Sequence, residues 1–219
     1  MNRNLAFGTV NLLRALSSSA PNARFLFIST AQVYGGPSSI ESGLVDEDAP
    51  ALPMTFYSIS KEAAERAVMA YSSIYGLDAF IARPANHTGP GQSTRFVAAS
   101  FAEQAKKILR GEASSYVTGN LKSVRDFTDV RDVVRAYRLL IERGRRGEIY
   151  NISSGTLVSI GELLECIKKI SGAGAPSSED PSLIRPTDSS RRLNTAKLRE
   201  TTGWEPSLSL SDTLRDMLV

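Results

Sequence analysis

The sequence is poor in the residues that announce a disulfide scaffold, a membrane span or a metal centre. One cysteine, Cys166, stands among 219 residues, so no intrachain disulfide can form. Its neighbours Ile160, Leu163, Leu164, Ile167 and Ile170 recur at helical spacing, and Cys166 reads as helix packing rather than as a nucleophile. No run approaches the ~20 consecutive apolar residues that span a bilayer. The N-terminus lacks the basic and apolar regions of a signal peptide, and the expectation is a cytoplasmic protein. No metal-ligand motif is present, so no metal is expected. Charge of one sign is also lacking: 26 Lys and Arg oppose 23 acidic residues, a formal charge of +3. The basic residues are scattered rather than gathered into an aromatic-studded patch, which argues against a nucleic-acid partner. Arg143, Arg145 and Arg146 follow an apolar helical stretch and read as a solvated helix end. A Gly-rich turn between a strand and a helix, the usual cradle for a dinucleotide pyrophosphate, is absent too. Gly8 stands alone in a helical stretch, and Gly35-Gly36 follow a strand.

What is present is an apolar fraction of 42%, enough for a sizeable core. Asn4 to Leu16 has the pattern of an amphipathic helix, broken at Pro21-Asn22. Arg24-Phe25-Leu26-Phe27-Ile28 is a short continuous apolar run, the mark of a strand covered on both faces in a parallel sheet. Residues 35–55 are rich in Gly, Pro and Ser and carry four acids, and a surface loop is expected. A helix is predicted from about Ser58 to Tyr75, stopped by Gly76, and Ala79-Phe80-Ile81-Ala82 gives another buried strand. Strand, helix, strand at this spacing is a βαβ unit, hence a parallel α/β sheet. Further helices are predicted over Phe96 to Leu109, Val130 to Glu142, Ile160 to Ile170 and Leu210 to Met217, with a strand at Glu148 to Ile152. Ala173 to Ser189 is Pro- and Ser-rich and is expected to be irregular.

The chemistry-bearing signal is Tyr57-Ser58-Ile59-Ser60-Lys61 at a helix start. A spacing of four puts phenol and ammonium on one helical face, where the cation should lower the phenol's pKa and ready it to give a proton to a carbonyl. Alone, YxxxK is weak, because surface helices contain it by chance. Here the preceding strand ends in Ser29-Thr30-Ala31-Gln32-Val33-Tyr34-Gly35, and the following one in Arg83-Pro84-Ala85-Asn86-His87-Thr88-Gly89-Pro90-Gly91. In an open α/β sheet, ligands lie beyond the carboxyl ends of the strands.

These three ordered segments resemble the Ser/Thr-Tyr-Lys arrangement and the RPxNxxGPG segment of the extended short-chain dehydrogenase/reductases that modify sugar nucleotides. The resemblance continues through Val124-Arg125-Asp126-Phe127, Asp129 to Val134, Tyr150 to Gly155, Arg185-Pro186-Thr187-Asp188 and Gly203-Trp204-Glu205-Pro206. Within that branch the chain is most similar to the enzymes around GDP-deoxymannose, the 4,6-dehydratase and the 4-keto-6-deoxymannose reductase. The resemblance implies an α/β fold: a partial Rossmann-like parallel sheet, its N-terminal strands missing, with a small C-terminal α/β substrate-binding unit. Residues 1–86, with 128–155 returning, would belong to the NAD(P)-binding domain, and 87–127 with 156–219 to the nucleotide-sugar-binding domain. A sheet so truncated should expose one apolar strand edge and an uncovered helix face.

Carried over by resemblance, Thr30, Tyr57 and Lys61 would be catalytic. Ser29, Tyr57, Lys61, Pro84 and His87 would meet the cofactor, NADP or NAD, whose binding is compromised without the Gly-rich loop. Gln32, Asn86, Arg125, Arg185 and Asp188 would hold a GDP-sugar, since arginine forks suit a diphosphate. Read alone, Arg125 pairs equally well with Asp126 or Asp129, His87 is a loop histidine, Arg185 and Asp188 form local loop bonds, and Trp204 is core. A homodimer through the Tyr57 helix and its predecessor is also implied. Two departures separate the relatives. The dehydratase carries Glu two residues after its catalytic Thr, where this chain has Gln32, and an Arg where it has Gln92. An amide has no useful basicity, so water loss is deprived of its base, whereas ketone reduction requires only Tyr57, Lys61 and a hydride donor. The expected activity is therefore NAD(P)H-dependent reduction of the 4-keto group of a GDP-6-deoxyhexose. The 4,6-dehydratase, a sugar-nucleotide epimerase and a non-catalytic remnant that only binds nucleotide-sugar remain the alternatives.

Overall fold

In a computed structural model, the described residues are 3–35, 43–184 and 191–219. They run α1 (Arg3–Ser19), β1 (Arg24–Ile28), α2 (Phe56–Tyr75), β2 (Asp78–Pro84), β3 (His87–Thr88), α3 (Val97–Leu109), β4 (Tyr116–Thr118), β5 (Val124–Asp126) and β6 (Thr128–Asp129). Then follow α4 (Val130–Arg143), β7 (Ile149–Ile152), β8 (Leu157–Ser159), α5 (Ile160–Ser171), β9 (Ser177–Glu179), α6 (Ala196–Thr202) and α7 (Leu210–Leu218).

The expected βαβ unit is there. β1, β2 and β7 lie side by side in that order, all parallel, with Phe27 opposite Ile81 and Pro84 opposite Ile152. Alternation along β2 divides its side chains between two apolar layers. Ala79 and Ile81 pack with Leu13 of α1 and with Ala64 and Val68 of α2. Phe80 and Ala82 pack with Val133, Ala136 and Leu140 of α4, and with Leu198 and the fully buried Trp204 beside α6. The Trp204 indole N–H donates to the Asp132 carbonyl at 2.9 Å, so the core role expected of it holds. A second core gathers Phe101 of α3, Tyr116, Phe127, Leu163 and Leu164 of α5 and Leu214 of α7, with Cys166 against its rim.

Helix α2 starts two residues before the sequence suggests. Thr55 caps it, accepting from the Ser58 N–H while the Ser58 hydroxyl accepts from the Thr55 N–H, and this capping box draws Phe56 and Tyr57 into the first turn. Gly76, at φ 70°, ends it. Two segments expected to be irregular are not. Ser177–Glu179 pairs in parallel with β4, and Pro181–Leu183 forms a 3-10 turn, within a stretch whose composition signals only loop. Helix α6, seven residues long, is too short to show a period. Arg143 and Arg146 do more than solvate a helix end: they donate to the Thr202 and Gly76 carbonyls.

Residues 35–55, expected as a surface loop, are in part buried. Val45 joins Leu193 in a parallel bridge, and the Leu52 N–H donates to the Val33 carbonyl at 2.8 Å. Glu47 is only 8% exposed, and its Oε1 accepts the Asn151 N–H at 2.8 Å. Asn151 Nδ2 returns a bond to the Val45 carbonyl at 3.0 Å. The segment thus closes over the carboxyl end of β7, using polar pairs that a hydropathy pattern does not reveal.

The far edge of β1 carries no partner strand among the described residues, and Phe7, Leu12, Ile74 and Tyr75 are exposed on α1 and α2. The open edge and uncovered helix face are therefore present. No described helix is long and apolar enough to cross a membrane.

Burial raises the Glu47 carboxyl above its ordinary value, against the opposing Asn151 N–H and the Lys197 charge. A raised native pKa gives stability that is full below the unfolded value and lost as pH rises through the native one. Glu47→Gln, which keeps an acceptor for Asn151, is therefore expected to raise the melting temperature by a few degrees near pH 7.5, and the gain should vanish below about pH 4.5. Melting curves across pH check this; a lower melting temperature at pH 7.5 contradicts it.

Candidate active site

The site forms where β1 and β2 end. Past Ile28 the chain enters Ser29 and Thr30, both buried, and then a 3-10 turn over Ala31–Tyr34. Thr30 caps this turn: its Oγ1 accepts the Gln32 N–H at 3.3 Å, which leaves the hydroxyl hydrogen free to point elsewhere. Gln32 is exposed on the turn's outer side. Gly35 closes the turn at φ 80°, and a Cβ there would lie 2.4 Å from the Leu52 carbonyl oxygen, so only glycine fits.

Lys61 reaches the end of β1 from α2, with Tyr57 one turn before it. The Lys61 ammonium donates to the Ile28 carbonyl at 2.7 Å and lies 5.0 Å from the Phe27 ring and 5.9 Å from the Tyr57 ring. One carbonyl thus fixes the lysine to the end of the strand that carries Thr30. Burial lowers the Lys61 pKa, with Glu65 opposing. Burial also raises that of the Tyr57 phenol, although its side is 45% exposed. This corrects the expectation that Lys61 lowers it: the ammonium is turned to Ile28, and desolvation of the phenolate prevails. The neutral phenol keeps the proton that a carbonyl oxygen would take, and the raised pKa makes it a weaker acid than a free tyrosine. Ser29 Oγ is buried without a hydrogen-bond partner, an orphan polar atom beside the lysine anchor.

Beyond β2, Pro84 is the last paired residue, and the chain crosses to a second small sheet. The Asn86 carbonyl accepts the Thr128 N–H at 3.0 Å, and β3 runs parallel to β6 with His87 opposite Thr128. His87 Nδ1 donates to the Ala85 carbonyl at 3.1 Å. Gln92, where the dehydratase resemblance implies Arg, is folded inward, its amide bonded to the His87 carbonyl and the Thr88 hydroxyl. Arg125 lies on β5 opposite Val158. Asp126 accepts from Thr128, Ser153 and the Gly155 N–H, and Asp129 from Arg131 and Thr213. Arg185 and Asp188 lie outside the described residues.

The residues a pattern search passes over form the buried frame behind the site. Arg83 is buried on β2 and takes Glu65 of α2 with both arms, Nε to Oε1 at 3.0 Å and Nη2 to Oε2 at 2.6 Å. Its guanidinium stands 4.7 Å from the Tyr34 ring, whose hydroxyl donates to Asn151 Oδ1 at 2.8 Å. Burial pushes the Tyr34 phenol up to about 12, against the opposing charge of Arg83. The one signal in the sequence is an arginine next to the apolar run Ala79–Ala82.

The chain's own residues fit the nicotinamide end of a dinucleotide: an anchored ammonium, a phenol one turn before it and an orphan hydroxyl, close to the end of β1. The sequence has no glycine-rich turn to receive the pyrophosphate.

The profile of the GDP-mannose 4,6 dehydratase family matches residues 1–217. A GDP-6-deoxy-D-mannose reductase of Pseudomonas aeruginosa is 37% identical over 213 residues, covering 96% of this chain and 70% of that protein. A dTDP-glucose 4,6-dehydratase of Streptomyces niveus is 33% identical over 97% of this chain and 61% of its own length, so the chain spans under two thirds of some relatives. Among solved structures, RMD from Pseudomonas aeruginosa complexed with NADPH superposes with a TM-score of 0.91 at 34% identity, over 99% of this chain and 72% of that one. UDP-glucose 4-epimerase from Thermotoga maritima, with UDP-glucose, gives 0.88 at 28% identity, over 99% and 68%. With its parallel Rossmann-type sheet and its Tyr-Lys helix at the strand ends, this chain belongs to the GDP-mannose 4,6-dehydratase family of NAD(P)-dependent extended short-chain dehydrogenase/reductases.

Proposed function

We propose that the chain reduces the 4-keto group of a GDP-6-deoxyhexose, with Thr30, Tyr57 and Lys61 as its catalytic residues. The observation that carries this reading is the Tyr57 ring 5.9 Å from a lysine anchored on the Ile28 carbonyl, with an amide, Gln32, where water loss calls for a carboxylate. A bound NAD(P)H supplies the hydride. Tyr57 gives its proton to the ketone oxygen, and the Thr30 hydroxyl, with its own acceptor site turned to Gln32, donates to the same oxygen. Lys61, anchored by Ile28, keeps further N–H groups for a ribose hydroxyl, with Ser29, Pro84 and His87 around the nicotinamide. Residues 1–86 with 128–155 make the cofactor side. Residues 87–127 and 156–219 hold the GDP-sugar, with Asn86, Arg125, Arg185 and Asp188 as its polar contacts. The enzyme works in the cytoplasm.

The alternative reading of the same residues is binding of nucleotide-sugar without turnover. Calorimetry separates the two: micromolar NADPH binding supports the reductase, and GDP-sugar binding alone supports the second reading.

Nicotinamide oxidation with GDP-4-keto-6-deoxymannose is the direct assay. Tyr57→Phe is expected to lower kcat about 10³-fold while NADPH still binds. Since the donor must be protonated and its pKa is raised, the rate should stay level from about pH 6 to 8 and fall only in the alkaline range. No oxidation at any pH refutes the assignment.

Pairing of two copies through α1 and α2 would cover Phe7, Leu12, Ile59 and Ile74, all exposed. Light scattering should give twice the chain mass, reduced to the chain mass by Ile74→Glu with Phe7→Glu; a monomeric parent contradicts the pairing.

A further inference from the structure

Strand β2 is apolar from Ala79 to Ala82, and Arg83, which follows, is 95% removed from water. A guanidinium is stable in such a place only if its fork is satisfied. Here its three nitrogens and its flat face reach three separate pieces of chain. Two arms take the carboxylate of Glu65, one turn beyond Lys61 on α2. Nη1 donates to the Glu47 carbonyl at 3.3 Å, in the segment that closes over β7. The flat face lies against Tyr34, the last residue of the turn that Thr30 begins. The three pieces follow one another along the chain as turn, closing segment and helix, and the first and last of them carry the reacting side chains.

We propose that Arg83 is the positioning residue of this site, setting the helix that bears Tyr57 and Lys61 against the turn that bears Thr30 and Gln32. The inference rests on the reductase reading of those four residues. A planar fork defines direction as well as distance, which an ammonium on a flexible stem does not. Tyr34 extends the frame to β7 through Asn151, so all three strand ends are held in one register. Arg83 touches no reacting atom in this role; it acts through Glu65 and Tyr34.

The test uses the 219-residue chain, with Arg83→Met/Glu65→Leu as the main variant. It removes both charges together, so no uncompensated ion remains in the core. Three quantities are read: kcat, KM for the keto-sugar, and the alkaline titration of the Tyr57 phenol at 295 nm, taken against the same chain with Tyr57→Phe. Expected are melting within a few degrees of the parent, a kcat lower by about 10- to 100-fold, a KM changed by less than about 3-fold, and a displaced phenol titration. Unchanged kcat and an unchanged titration overturn the proposal and leave Arg83 as a structural pair. Should the double variant not fold, Arg83→Lys, which keeps the charge but not the fork, is read in the same way: parent-like kcat and titration overturn the proposal. If the parent itself shows no turnover, the reductase reading fails separately, and the phenol titration alone then decides for or against positioning.

Discussion

The ion pair between Arg83 and Glu65 joins the two elements on which the site depends, the central strand β2 and the helix α2. Both side chains are about 95% buried. Two ions in such a place make a poor source of net stability, because desolvation offsets most of their attraction. Breaking the pair is another matter, costing about 3–5 kcal/mol, since the survivor is left charged and unpaired. The pair therefore acts as a constraint: β2 and α2 can associate only in the register that satisfies it. Tyr34 and Glu47 are recruited to the same guanidinium, and through them the turn after β1 and the segment over β7. Hydrophobic layers on both faces of the sheet give the association its strength, and the fork gives it one geometry.

The reacting side chains sit downstream of that frame. Lys61 reaches the Ile28 carbonyl because α2 is held at the end of β1, and this leaves Tyr57 in a half-buried position where the neutral phenol is favoured. Proximity of a lysine in sequence does not by itself acidify a tyrosine. What matters is where the ammonium points, and here it points to a backbone oxygen. The neutral phenol carries the proton that a ketone oxygen takes, while the amide of Gln32 offers no base for water loss.

Much of this was legible in the sequence. β1, β2 and α2 announced themselves because each meets apolar neighbours in a regular period, and Gly76 marked a stop whose left-handed backbone the structure shows. The Tyr57–Lys61 spacing and the segment around Thr30 located the site. The short strands β3 to β6, β8 and β9 were not legible, since two or three residues carry no period and their pairing is set by distant partners. The closing segment at Val45 and Glu47 was hidden for a different reason: its composition is that of a loop, and its burial rests on Asn151 and Arg192, more than 100 residues away. The frame was missed on the same ground, because a charged residue in an apolar strand gives no hint of which carboxylate it will meet. The direction of the Tyr57 shift needed the orientation of Lys61, which spacing alone does not supply.

Reduction at C4 and the competing dehydration leave different isotopic marks, and their readout tests the central claim most directly. The keto-sugar nucleotide is incubated with [4-²H]NADPH, and separately with NADPH in ²H₂O, and the product is read by NMR. The account predicts deuterium from the nicotinamide at C4 of the sugar, and no deuterium introduced at C5 by catalysis. Unlabelled C4, or solvent deuterium at C5 that depends on the protein, contradicts it.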